Sequence, residues 1–125
     1  VAGFQYKSEA ERYYKELKER MEKFGLELES SKSRLIEFGR FAEQNRRARG
    51  EHKPETFDFL GFTFYCSKNR KGGFVPKVQT SRKKFEQKVR AYKNWIYDNR
   101  NRPMREIIKE LNVKLIGHYR YYGVT

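Results

Sequence analysis

The chain has 125 residues and a formal net charge of +13; 36% of its residues are charged, yet it holds ten Phe and nine Tyr. That length makes one ordinary domain or two small lobes, and that aromatic content excludes a disordered basic tail. A single cysteine, Cys66, excludes an internal disulfide framework and fits a reducing compartment, with the thiol read as a small buried hydrophobe.

The charge is uneven. Residues 1–50 hold twelve Lys or Arg against nine acids, whereas residues 51–125 hold seventeen against seven. Between Lys68 and Lys93 ten basic residues face one acid, Glu86. This points to a polyanion partner. No lipidation motif and no run of about eighteen apolar residues occurs, so nucleic acid is favoured over a membrane. Val1-Ala2-Gly3-Phe4 begins without Met or a leader and reads as the middle of a longer protein.

In chain order, Val1 to Tyr6 is a short apolar piece that could end a strand. Ser8 and Glu11 have capping-box spacing for a helix whose inner stripe is Ala10, Tyr13, Tyr14, Leu17, Met21 and Phe24. Glu11 with Lys15, and Glu16 with Arg20, are spaced for outer-face pairs, and Gly25 suits the end. Leu26 to Glu29 and Leu35 to Phe38 then read as a strand hairpin around Ser30–Ser33. The segment from Phe41 to Pro54 carries Arg46, Arg47 and Arg49. It is either a short helix or an ordered loop, read as a solvated excursion in preference to a binding site. His52 has no metal-spaced neighbours and reads as structural or exposed.

Phe57 to Cys66 alternates as one strand that is apolar on both faces, and such a strand needs cover on both. After a turn at Ser67–Gly73 the chain returns as Phe74–Val78, with Pro76 placing that strand at an edge. Lys68, Arg70 and Lys71 sit at this hairpin's tip, where phosphate contact and simple solvation are equally good readings. Thr80 or Ser81 caps a long helix with Phe85, Val89, Tyr92, Trp95, Ile96 and Asn99 as inner stripe. Arg82, Lys83, Lys84, Lys88, Arg90 and Lys93 cover the rest of its surface. Positive charge in the first turn opposes the helix dipole, a cost that a nucleic-acid backbone would offset. After Asn99–Arg102, Pro103 at N1 opens a second helix with Met104, Ile107, Ile108, Leu111 and Leu115 inside, closed by Gly117. His118 to Val124 is an aromatic and basic cluster containing Arg120. It either caps the groove between the two helices or stacks on bases, the former being the commoner use.

No Asp-Asp pair, phosphate-binding glycine loop, HExxH or Cys/His cluster is present, and two histidines give no credible triad. The residues alone favour a nucleic-acid-binding module over a protein-interaction scaffold or a catalytic domain of unfamiliar design.

Four ordered blocks sharpen this reading: Val1-Ala2-Gly3-Phe4; Phe24-Gly25-Leu26-Glu27-Leu28 followed by Lys32-Ser33-Arg34-Leu35-Ile36-Glu37-Phe38-Gly39; Phe57-Asp58-Phe59-Leu60-Gly61-Phe62; and Gly117-His118-Tyr119-Arg120-Tyr121-Tyr122-Gly123. Together they resemble the group II intron reverse transcriptases, or intron-encoded maturases, over essentially the whole chain. The resemblance implies an α+β fold: a partial polymerase palm of helix and antiparallel hairpins over 1–79, then a helical thumb-like segment over 80–125. It implies a fragment of an RNA-directed DNA polymerase that binds template-primer and intron RNA. A stand-alone RNA-binding splicing cofactor and a protein-interaction scaffold remain the alternatives.

Through the same resemblance Leu60, Gly61 and Phe62 match the primer grip, where glycine permits close approach of a backbone. Lys32 matches a lysine near the incoming triphosphate, with charge neutralisation or proton donation to pyrophosphate as its duty. Ser33 stands where the family has threonine. Lys68, Arg70, Lys71, Arg82, Lys83, Lys84, Lys88, Lys93 and Arg120 are the candidate nucleic-acid contacts. The family's catalytic aspartate pair would lie just before Val1, so whether this chain is itself an enzyme is left open. No cofactor is expected in the chain, and Mg2+ is expected for the parent polymerase. The implied partners are RNA, RNA–DNA duplex and the remainder of the polymerase, in a bacterial-type cytoplasm or with the nucleoid.

Overall fold

The Phe57–Cys66 run does not stay extended. In the computed structural model it forms β1 (Phe57–Phe59), a two-residue turn at Leu60-Gly61, and β2 (Phe62–Lys68), paired antiparallel with Phe59 opposite Phe62. Leu60 has φ 51° and Gly61 φ 83°, so both turn residues are left-handed, the conformation whose twist matches a tight hairpin. The single strand expected from alternation is therefore corrected to a hairpin, because a glycine inside an alternating run supplied a turn. β3 (Phe74–Thr80) pairs with β2 over seven residues, giving a three-stranded antiparallel sheet in the order β1-β2-β3. Pro76 lies on an edge strand, as expected. Phe57 and Phe64, directly opposite across the β1–β2 ladder, stack with ring centroids 5.0 Å apart.

The fold is mixed α+β. The structure describes residues 1–123; Val124, assigned from sequence to the C-terminal aromatic cluster, and the last residue of the 80–125 segment lie outside the described residues. The chain forms two compact units, Val1–Glu55 and Thr56–Thr125. The sheet and the helices after it thus belong to one unit, and the 79/80 boundary implied by the resemblance falls inside it.

In the first unit, α1 (Lys7–Lys23) half-buries Ala10, Tyr14, Leu17 and Met21, a stripe at spacings of four and three. Tyr13 and Phe24 of the expected stripe are exposed. The helix starts two residues earlier than the capping box required: Tyr6 and not Ser8 is the N-cap, and it makes no side-chain cap. The outer pairs also shift, to Lys7–Glu11 and Arg12–Glu16. Gly25, at φ 70°, ends the helix in a Schellman motif, its N–H donating to Glu22 O and the Leu26 N–H to Met21 O. Val1–Tyr6 is not a strand; the Phe4 ring packs against Tyr13 at 5.0 Å.

The expected hairpin of Leu26–Glu29 and Leu35–Phe38 does not form, since neither segment is a strand. A lone two-stranded ladder is marginal in water, and side chains hold this region instead. α2 (Ala42–Ala48) ends at Gly50 in a second Schellman motif, and the charges of this region converge around it. The Arg49 guanidinium donates to Glu37 at 2.5 Å, Asn45 Nδ2 donates to Glu37 at 2.8 Å, and Arg46 lies 3.3 and 3.6 Å from Glu51 and Glu55. The Glu37 N–H donates to Glu55. Arg49, and then Asn45, hold the Glu37 carboxyl below its ordinary range, and Arg49 does the same to Glu51.

In the second unit, Ser81 is buried and ties the sheet to α3 (Arg82–Asn99). Its N–H donates to Gly61 O at 2.9 Å and its hydroxyl to Asp58 Oδ2 at 3.3 Å, while Asp58 Oδ1 accepts from the Thr63 hydroxyl. Ser81 is thus the N-cap residue but caps no helix amide with its side chain. Between α3 and α4 (Met104–Tyr122), Arg102 donates to Asn99 Oδ1 at 2.9 Å and to both Glu110 oxygens at 2.6 and 3.2 Å. Pro103 is the N-cap of α4 and not its first helical residue, and the helix runs through Gly117 to Tyr122. Five residues read as lying beyond a closed helix are therefore its last turns: leucine, isoleucine and tyrosine around Gly117 sustain the helix at the cost of about 1 kcal/mol for one glycine.

Ile107 and Ala42 are the buried apolar residues among those described, one in each unit. Large side chains of the expected inner stripes are open to solvent: Phe85, Ile96, Met104 and Ile108 are 52, 43, 69 and 50% exposed.

Candidate nucleic-acid interface

The second unit holds sixteen Lys or Arg and five acids. Four of those acids are engaged: Asp58 with Ser81 and Thr63, Glu86 with Arg82, and Glu106 and Glu110 with Arg102. The second unit therefore keeps a strong uncompensated positive charge.

Part of that charge is gathered in one open groove of about 1060 Å³. The β1–β2 turn contributes Leu60 and Gly61 at one end. One stripe of α3, at spacings of four, four and three, supplies Lys84, Lys88, Tyr92 and Trp95, with Gln87 and Ala91 beside it. The facing stripe of α4 supplies Lys114, Gly117, His118, Tyr121 and Tyr122. No Asp or Glu is among the described residues lining it.

The walls are fixed by contacts among these residues. Tyr92 Oη donates to Lys114 O at 3.2 Å, and Lys114 Nζ lies 5.3 Å from the Trp95 ring centroid, a cation–π distance. Tyr121 Oη donates to Leu60 O at 2.8 Å, and the Tyr121 and Tyr122 rings pack on Phe62 at 5.6 and 5.3 Å. Tyr122 also packs against His118 at 4.8 Å, and His118 Nδ1 is buried without a hydrogen-bond partner. The aromatic cluster thus closes one end of the groove from inside the chain, which is the capping use of these rings.

Of the candidate site residues, Leu60, Gly61, Lys84 and Lys88 line this groove. Phe62 lies beneath it as the platform for two tyrosines. Arg82, Lys83 and Lys93 are exposed on α3 outside the lining, with Arg82 paired to Glu86 at 2.8 Å. Arg120 is exposed on α4, and Lys68, Arg70 and Lys71 at the β2–β3 tip; none of the four lines the groove. At that tip Asn69 Oδ1 accepts the N–H groups of Lys71 and Gly73, so backbone donors there are already used. Lys32 lies in the first unit, exposed on the turn closed by Glu29 O. Arg46, Arg47 and Arg49 are engaged by carboxylates, consistent with reading that segment as no binding site. His52 is exposed, as read from sequence.

Lys114 and the lining role of Tyr92 and Trp95 escaped the sequence reading, whereas His118 belongs to the cluster read there as capping the groove between the two helices. The available signal was the i, i+4 alignment of Lys84, Lys88 and Tyr92, and of Lys114, His118 and Tyr122, which puts lysines and rings on one line of each helix.

No group of three or more His, Cys, Asp or Glu side chains that could hold a metal ion stands together among the described residues. No helix among them is long and apolar enough to cross a membrane. Compared with protein-family models, with curated proteins and with solved structures, the chain matches none.

Proposed function

We propose that the second unit binds a base-paired nucleic acid along the Lys84–Lys88–Lys114 groove, and that the chain serves as the rear of the palm and the start of the thumb of an RNA-directed DNA polymerase of the group II intron type. One observation carries the binding reading: three lysines from two helices and the Leu60-Gly61 turn line a single groove whose described lining holds no acid. Ammonium groups at such positions neutralise phosphates and release counterions, which gives affinity without sequence preference. The rings there favour a backbone-directed role over base stacking. Trp95 faces Lys114, Tyr121 packs on Phe62, and Tyr122 packs on Phe62 and His118.

The polymerase assignment rests on the four sequence blocks and on the meeting of Leu60 and Gly61 with the basic helix in that groove. In this reading Lys32 neutralises charge or protonates pyrophosphate, Mg2+ is supplied with carboxylates outside this chain, and the exposed apolar residues of α3 and α4 pack against the remainder of the polymerase. The location follows the partner, a bacterial-type cytoplasm or the nucleoid.

Lysine footprinting tests the binding reading. With an RNA–DNA hybrid added to the chain, Lys84, Lys88 and Lys114 become protected from acetylation while Lys15 and Lys18 of α1 do not. Equal labelling of all five with and without duplex refutes it.

A further inference from the structure

Glu110 stands one helical turn before Lys114. The α4 residues Lys114, His118 and Tyr121 line the groove at steps of four and three, and one further step of four toward the N-terminus reaches Glu110. A glutamate one turn before a lysine is the order in which such a pair attracts best on a helix. Left free, the Glu110 carboxylate would draw the Lys114 ammonium back along α4 and set a negative charge at the rim of the groove. The structure shows neither. Lys114 Nζ lies over the Trp95 ring at 5.3 Å, and Glu110 is turned toward the connection between the two helices and is not among the lining residues.

Arg102 accounts for the difference. Its guanidinium donates to both Glu110 oxygens, at 2.6 and 3.2 Å, and to Glu106 at 3.5 Å. Two parallel bonds from one guanidinium are the strongest hold a side chain can take on a carboxylate. Arg102 is itself fixed where the two walls converge: its Nη1 donates to Asn99 Oδ1 at 2.9 Å, and Asn99 Nδ2 donates to the Trp95 carbonyl at 2.8 Å. Arg102 first, and Lys114 at longer range, hold the Glu110 carboxyl below its ordinary range. The lysine therefore already feels this acid, and the arginine has the firmer grip on it.

We infer that Arg102 is a positioning residue for the groove: by occupying Glu110 it keeps the Lys114 ammonium turned toward a bound polyanion and keeps an acid off the rim. This rests on the groove being the duplex site. The contact is more than a brace between α3 and α4. A brace is broken alike by removing either partner, whereas a guard on an acid is needed only while the acid is there. Losing Arg102 therefore frees Glu110 to capture Lys114, losing Glu110 leaves Lys114 in place, and losing both restores it.

The test is residue-specific acetylation of the full chain, with and without a short RNA–DNA hybrid, in Arg102→Gln, Glu110→Gln and the double variant, with thermal melting to check each fold. In Arg102→Gln the protection of Lys114 falls about two-fold or more, the shift that one helical Glu–Lys pair gives, while Lys84 and Lys88 stay protected. Glu110→Gln protects Lys114 as the parent does, and the double variant regains that protection. Arg105→Gln controls for net charge, since Arg105 is exposed on α4 about half a rotation from Lys114 and its loss removes the same charge; Lys114 stays protected there. Four results overturn the inference: full Lys114 protection in Arg102→Gln, an equal loss in Glu110→Gln, no recovery in the double variant, or an equal loss in Arg105→Gln. If Arg102→Gln melts below the assay temperature, Glu110→Gln decides alone, with parental protection of Lys114 supporting the inference and its loss overturning it. Where Lys84 and Lys88 are protected throughout, an overturning result leaves the groove standing; if none of the three lysines is protected in the parent, both readings fall.

Discussion

Replacing Lys84, Lys88 and Lys114 together with Ala puts a number on the proposed groove. All three line one surface, and each ammonium that meets a phosphate contributes about 0.9 to the slope of log affinity against log salt on B-form duplex. Removing three flattens that slope by about 2.7. Between about 50 and 200 mM salt, the parent then loses about forty-fold more affinity than the variant. The assay is anisotropy of a labelled duplex across that salt range, repeated on two unrelated sequences, where equal changes are expected. Lys114 also rests over Trp95, and losing that contact costs about 0.5–1 kcal/mol of stability at an exposed site, so a melt at each salt is the companion measurement. Lys15→Ala with Lys18→Ala, on α1, should leave the slope alone. A folded triple variant whose slope lies within about 0.5 of the parent's refutes the reasoning, because it places the lysines outside the contact.

Ile107→Ala should cost about 2–5 kcal/mol in denaturant melts, since Ile107 is 7% exposed, whereas Ile108→Ala at 50% exposure should stay within about 0.5 kcal/mol; equal effects would show that α4 does not bury the face described. Gly61→Ala adds a side chain at φ 83° and against Tyr122 Oη, and should destabilise by about 1–2 kcal/mol, again by melting. The carboxyls of Glu37, Glu51 and Glu110 titrate lower folded than free, held by Arg49, Arg49 and Arg102 respectively. Their stabilisation is complete above the ordinary carboxylate value of 4.5 and is lost as pH falls below it through the folded values, so circular dichroism melts should be flat above 4.5 and fall on acidification. Glu37→Gln should remove part of that fall. Finally, the purified chain should extend no primer, since its described carboxylates form no metal-holding group; extension by this chain alone would place the chemistry on residues not considered.

The helices were legible because each carries a stripe long enough to show its period. α1 and α3 were found nearly to the residue, and Gly25 marked its helix end because a left-handed glycine satisfies two orphan carbonyls there. Short apolar runs were not legible. Leu26–Glu29 alternates as a strand should, but alternation says nothing about whether a neighbouring strand exists, and Glu37 of the expected partner segment is held by Arg49 and Asn45 instead. Phe57–Cys66 misled in the other direction: paired residues of a hairpin share a face, so the apolar set changes phase from Phe57 and Phe59 to Phe62 and Phe64 across Leu60-Gly61, and with neither face polar that phase change passes for one continuous alternation. Gly117 was given a stop signal's weight, although the flanking residues of α4 outvote it. Half of the groove was visible, since Lys84 and Lys88 lie on one helix. Lys114 lies on α4 before Gly117, but His118, Tyr121 and Tyr122 join it as the other wall only once the helix is known to continue past that glycine.

The arginines clasped by acids around α2 and the crowded lysines of α3 respond to dissolved ions in opposite senses. Screening loosens the first unit's clasps, which depend on attraction, and relieves the second unit's helix, where like charges crowd together. A saline buffer therefore softens one half of this polypeptide while firming the other, even as it loosens any grip on a polyanion.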